Sequence, residues 1–74
     1  MEERYEKVLR IFYEESLKTN DFYVLSANIG RGNGEICHWL AENGYLTDLN
    51  PMGKDKFGCS VTQKTIDYFS NKEQ

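Results

Sequence analysis

The chain has 74 residues, with nine Lys or Arg against twelve Asp or Glu and a net charge of −3. That length fits one domain over residues 1–74, and a chain of this size buries only ~60% of the surface its unfolded form exposes. A hydrophobic share of 39%, including four Phe, five Tyr and one Trp, is too high for a disordered segment. No apolar run nears the ~20 residues of a membrane span and nothing reads as a signal peptide, so a cytoplasmic setting is expected.

The first element is a helix from Met1 to about Lys18. Tyr5, Val8, Leu9 and Phe12 fall on one face, and Lys7, Arg10, Glu14 and Lys18 fall opposite. Ile11, Tyr13 and Leu17 widen the apolar arc. Thr19-Asn20-Asp21 ends the helix with turn formers. Phe22-Tyr23-Val24-Leu25 is rich in β-formers and reads as a brief edge strand or extended connector. Ser26 is placed to cap a short helix from Ala27 to about Arg31. Gly30, Gly32 and Gly34 then stop that helix and permit a tight turn.

Asn33 is positioned to cap the next helix, with Glu35 favoured in its first turn by the helix dipole. Ile36 and Leu40 share its inward face, flanked by Cys37 and Trp39. Asn43-Gly44 ends it with a left-handed stop. Tyr45 to about Leu49 and Phe57 to Val61 read as paired strands, joined by a loop from Asn50 to Lys56. Phe57, Cys59 and Val61 alternate onto one face. Thr62 is placed to cap a last helix, where Ile66 and Phe69 form the apolar pair before the helix frays over Ser70 to Gln74. The expected core holds Val8, Phe12, Ile36, Leu40, Leu46, Val61, Ile66 and Phe69. Cys37 and Cys59 are too few for a disulfide scaffold and are expected as buried, reduced thiols.

The order helix, extended piece, helix, turn, helix, hairpin, helix resembles the winged-helix family over almost the whole chain. The closest local match is Ile36-Cys37-His38-Trp39-Leu40-Ala41-Glu42-Asn43-Gly44-Tyr45-Leu46. A second is Val61-Thr62-Gln63-Lys64, at the strand-to-helix junction after the wing, with Thr65 where the family often has Gly. In size and layout the chain also resembles small winged-helix proteins of bacterial and prophage origin. The resemblance implies an α+β fold: a helix-turn-helix core, a two- or three-stranded antiparallel wing and a C-terminal helix. It also implies binding to double-stranded DNA, as in a transcriptional or prophage regulator. A protein–protein interaction module without DNA binding is the alternative, because fold does not fix function.

The residues divide between these readings. The outward face of the would-be recognition helix carries Glu35, His38 and Glu42, and carboxylates repel phosphates. Cations stand at its edges: Arg31 before the helix, Lys54 and Lys56 on the wing. Asn33 and Gly34 offer backbone donors at a helix N-terminus. The expected DNA-binding residues are therefore Arg31, Asn33, Gly34, His38, Lys54 and Lys56. Binding by one chain should be weak, so a homodimer through the first and last helices is expected, using Ile11, Tyr13, Leu17 and Tyr68.

Catalysis finds no support. Cys37 and His38 are adjacent, so on a helix they point apart. A zinc site needs four ligands, and Cys37, Cys59 and His38 are the only soft candidates. Gly30-x-Gly32-x-Gly34 is spaced unlike a dinucleotide or phosphate loop. No enzyme activity, cofactor or metal is expected.

Overall fold

A computed structural model describes residues 1–72. Along the chain run α1 (Glu3–Ser16), β1 (Tyr23–Asn28), α2 (Gly34–Glu42), β2 (Leu46–Gly53), β3 (Lys56–Val61) and α3 (Gln63–Lys72). The strands form one antiparallel sheet in the order β1-β3-β2, so β3 is central. The helices pack on the face that carries Phe57, Cys59 and Val61. The fold is α+β, with three helices and a three-stranded sheet among the described residues.

Helix α1 buries Val8, Leu9, Phe12, Tyr13 and Ser16, a stripe of helical period. Its end is closed by hydroxyls: Ser16 Oγ donates to the Tyr13 carbonyl at 2.6 Å. Thr19 Oγ1 lies 3.0 Å from the Ser16 carbonyl and accepts the Tyr23 N–H at 3.1 Å. One threonine thus joins the helix end to the start of β1.

The short helix expected from Ala27 to Arg31 does not form. Ala27 and Asn28 are strand residues, paired with Phe57 and Lys56. Ser26 is an exposed strand residue and caps nothing. Pairing with β3, continued past a bulge between Val24 and Ala27, claims the backbone that a helix capped by Ser26 would use. The bulge puts Val24 and Ala27, three apart, on the same buried face. Residues 26–42 therefore supply one helix, not the two of a helix-turn-helix, and the expected four helices are three.

Asn33 precedes α2, but its side chain makes no cap bond. Its Nδ2 instead donates to the Ile29 carbonyl at 2.8 Å and braces the turn. Ile36, Cys37 and Leu40 point inward. Gly44, at φ +82°, ends the helix as expected. The Tyr45 N–H reaches the Leu40 carbonyl at 2.9 Å and the Gly44 N–H reaches Ala41 at 3.2 Å, the paired bonds of a Schellman stop.

The hairpin is longer and tighter than the Asn50–Lys56 loop expected from its turn formers. Strand β2 runs on through Asn50, Pro51, Met52 and Gly53, leaving Lys54 and Asp55 as the turn. Proline is tolerated there because β2 is an edge strand with β3 as its one partner. The antiparallel pairing of β2 and β3 is as expected, with Leu46 opposite Val61 and Pro51 opposite Phe57.

Thr62 stands just before α3, but its hydroxyl turns away from the helix. It donates to the Gly44 carbonyl at 2.6 Å, while its own carbonyl accepts the Thr65 and Ile66 N–H groups. Thr65 Oγ1 donates to the Tyr45 carbonyl at 2.6 Å and Lys64 Nζ to the Asn43 carbonyl at 2.6 Å. Three residues of the α3 start thus hold the end of α2. Helix α3 continues through Lys72; of the fraying expected there, Glu73 and Gln74 lie outside the described residues.

Seven of the eight expected core residues are buried; Ile66 is half-buried against them. Leu9, Tyr13, Val24, Ala27, Ile29, Phe57 and both cysteines complete the core. Most of the surplus apolar surface on α1 is used within the chain. Tyr13 stacks on Phe69 with centroids 4.7 Å apart, and Tyr68 packs edge-on against Phe69 and Tyr45. Ile11 is half-buried. Leu17 alone of that group stays exposed, at 54%.

Candidate nucleic-acid interface

The site is assembled at one end of the sheet by a backbone bond. The Ile29 N–H, in the turn after β1, donates to the carbonyl of Asp55 in the hairpin turn at 2.9 Å. Asn28 pairs with Lys56 beside it. The hairpin tip is therefore fixed against the segment that leads into α2. Gly30 and Gly32 take φ of +89° and +80°, which lets this segment reverse direction between strand and helix. The Asn28 side chain accepts the Gly30 N–H at 2.9 Å and starts the reversal.

Phe57 is the shared seat of the helix. Gly34, the first residue of α2, lies over its ring, so that an added Cβ would meet Phe57 Cζ at 3.7 Å. One turn further on, the His38 ring stands edge-on to Phe57, with centroids 6.1 Å apart and planes at 88°. Arg31, Asn33 and Gly34 thus lie at the helix entrance, His38 one turn along it, and Lys54 and Lys56 on the adjoining hairpin.

Arg31, Lys54 and Lys56 are exposed and form no ion pair among the described residues. Lys7 on α1 is likewise exposed and forms no ion pair among the described residues, whereas several other cations are engaged. Arg10 and Lys72 meet Glu6, Lys18 meets Glu15, and Lys64 lies 4.3 Å over the Tyr45 ring. At the start of α2 the Ile36 N–H is bound by the Asn33 carbonyl at 3.1 Å, which leaves the Gly34 and Glu35 N–H groups without an acceptor within the helix, as is usual at a helix start. The Asn33 side-chain amide is turned back to the Ile29 carbonyl. The negative charges nearby are Glu35 and Glu42 on the exposed side of α2, and Asp55 between the two lysines.

The contribution of Asn28, Ile29 and Phe57 was not foreseen from the sequence. Ile29 carried a partial signal, because an isoleucine beside glycines seeks burial. The backbone bond to Asp55 carried none.

Cys37 and Cys59 are free thiols, both fully buried. Burial pushes each thiol up to about 12; Cys59 is raised further by the proximity of Cys37. Neither is a nucleophile near neutral pH. Among the described residues, no three His, Cys, Asp or Glu side chains converge on a metal position. No described helix is long and apolar enough to cross a membrane. Comparison of the chain with protein-family models, curated proteins and solved structures finds no match in any of the three.

Proposed function

We propose that this chain is a small winged-helix DNA-binding protein, a transcriptional or prophage regulator acting in the cytoplasm without catalysis. The observation that carries the reading is the clamp between Ile29 and Asp55, which joins the turn bearing Arg31, just ahead of α2, to the hairpin turn flanked by Lys54 and Lys56. In this reading α2 serves as the recognition helix alone, and the residues ahead of it form a strand and turn in place of a second helix. The helix entrance and the hairpin tip contact phosphates of double-stranded DNA. Arg31, Lys54 and Lys56 supply charge, and Asn33 and Gly34 supply backbone donors. So few contacts give weak, salt-sensitive binding. A two-fold pairing through α1 and α3, with Leu17 as its exposed apolar contact, would double the contacts on paired half-sites.

The order of the sheet supports the reading, because the extended piece before the helix pairs with the second wing strand. Titration of a labelled duplex at low salt tests it: saturable binding that weakens as salt rises is expected, and no binding at low salt would end it. Glu35 and Glu42 favour a second reading. An acidic, exposed helix face suits a basic protein partner, and a chain that ignores duplex DNA would be an interaction module built on the same fold.

A further inference from the structure

We propose that Asn33-Gly34 is a site of spontaneous covalent modification, at which Asn33 becomes aspartate or isoaspartate and the entrance of α2 gains a carboxylate. The step is an internal displacement. The Gly34 backbone nitrogen, its proton drawn off by base, attacks the side-chain amide carbon of Asn33. The new bond closes a five-membered imide, the bond from that carbon to Nδ2 breaks, and Nδ2 leaves as ammonia. Water then opens the imide at one of its two carbonyls. One opening gives aspartate in the ordinary main chain; the other routes the main chain through the side chain as isoaspartate. The sum is water consumed and ammonia released, with no oxidant or cofactor.

The chain has two Asn-Gly steps, one at each end of α2. Their asparagines share nearly the same backbone, φ −98° and ψ 9° at Asn33 against φ −97° and ψ 10° at Asn43. Each side-chain amide donates to the carbonyl four residues earlier at 2.8 Å. The attacking nitrogens differ. The Gly34 N–H has no acceptor among the described residues. The Gly44 N–H is bound to the Ala41 carbonyl at 3.2 Å, and Lys64 Nζ holds the Asn43 carbonyl at 2.6 Å. The helix dipole adds a second difference, because the attacking nitrogen carries negative charge. The positive start of α2 favours that charge on Gly34, and the negative end opposes it on Gly44. Ring closure must also turn the peptide plane, and Gly32, with open space around it, gives the turn ahead of Asn33 that freedom. Exposure alone points the other way, since Asn43 is exposed and Asn33 half-buried.

Conversion removes the amide donor that braces Ile29 and adds a negative charge two residues after Arg31. Its effect on DNA rests on the proposed function: a carboxylate at this entrance repels the phosphate that the helix start would hold.

The test incubates the folded full chain at mildly alkaline pH and follows both steps by mass-spectrometric peptide mapping, with fragmentation that separates aspartate from isoaspartate. Asn33 should convert severalfold faster than Asn43. In urea the two rates should converge, because the folded contacts are gone. Gly34→Ala should slow conversion at Asn33 and leave Asn43 unchanged; its methyl would meet Phe57 Cζ at 3.7 Å, an ordinary contact, and circular dichroism checks the fold. Conversion at Asn43 as fast as at Asn33 would overturn the proposal. So would an Asn33 that stays an amide, or a gap that persists undiminished in urea. Duplex titration then compares fresh chain, aged chain and Asn33→Asp, and the last two should bind severalfold more weakly at low salt. Equal binding by all three would contradict the effect on DNA. A fresh chain that binds no duplex would sink the DNA reading, while the mass measurement still decides the modification.

Discussion

Gly58 lies directly beneath the carbonyl of Leu25. A Cβ at this position would come 2.4 Å from that oxygen and 3.1 Å from the carbonyl oxygen of Val24. The bulge in β1 folds its backbone over the centre of the sheet, and only a residue without a side chain lets it lie there. Both obstructing atoms are backbone, so no rotamer change relieves the contact. Gly58→Ala should therefore cost at least the ~1–3 kcal/mol usual for overpacking. Chemical denaturation measures it. A loss under about 0.5 kcal/mol, the range of an ordinary surface change, would show that the bulge adjusts freely.

The two buried thiols give stability a pH dependence of known sign. Their pKa is raised in the folded chain from 9.0 to about 12, so the fold favours the neutral thiol. Stability is fully present below pH 9 and falls as the pH rises toward 12, because the unfolded chain releases these protons first. Each thiol adds up to about 1.4 kcal/mol per pH unit in that window. Tyrosines and lysines titrate there too, so the comparison is with Cys37→Ala/Cys59→Ala, whose unfolding free energy should fall less steeply. Equal slopes would contradict the burial. Bulky thiol reagents should label the native chain slowly at neutral pH.

The first and last helices separate packing within a chain from packing between chains. Tyr13 is buried against Phe69, so Tyr13→Ala should cost about 3–5 kcal/mol of stability, the range of aromatic truncation in a core. Leu17 is exposed, so Leu17→Glu should change stability by no more than about 0.5 kcal/mol. Sedimentation at concentrations well above micromolar should show a dimer that Leu17→Glu dissociates. A native chain that stays monomeric there would remove the proposed pairing through α1 and α3.

The acidic face of α2 should oppose DNA. Glu35→Gln and Glu42→Gln each remove a carboxylate that the duplex repels, so each should tighten non-specific binding severalfold at low salt, and less at high salt. The gain is measured by anisotropy of a labelled duplex. Weaker binding by either variant would mean that the carboxylate contacts a base donor, such as the amino group of cytosine.

Much of the fold was legible because local signals agreed with one another. The stripe of Val8, Leu9 and Phe12, the stop at Gly44 and the alternation of Phe57, Cys59 and Val61 each had a single reading. Elements were misread where a local rule had two physical outcomes. Ser26-Ala27-Asn28 fit a capped helix start or a strand that continues past a bulge, and β3 decided between them through pairing that a sequence window does not contain. Asn50-Pro51-Met52-Gly53 fit a loop or an edge strand for the same reason. Asn33 and Thr62 have the chemistry of helix caps, but their side chains are turned away from the helix, toward the carbonyls of Ile29 and Gly44. At the candidate site, the residue types and rough positions were visible in the sequence. The joining of the two turns that carry them was not, because it depends on one backbone bond between Ile29 and Asp55.

The central claim is that the hairpin tip and the entrance of α2 form one phosphate-binding surface. The most direct measurement is the salt dependence of duplex binding for the native chain, Lys54→Ala, Lys56→Ala and Arg31→Ala. Binding should be weak and should lose affinity steeply with salt. Each substitution should lower the affinity for every duplex alike and reduce the log–log salt slope by about one unit. Lysine variants that bind as tightly as the native chain, with an unchanged slope, would contradict the account.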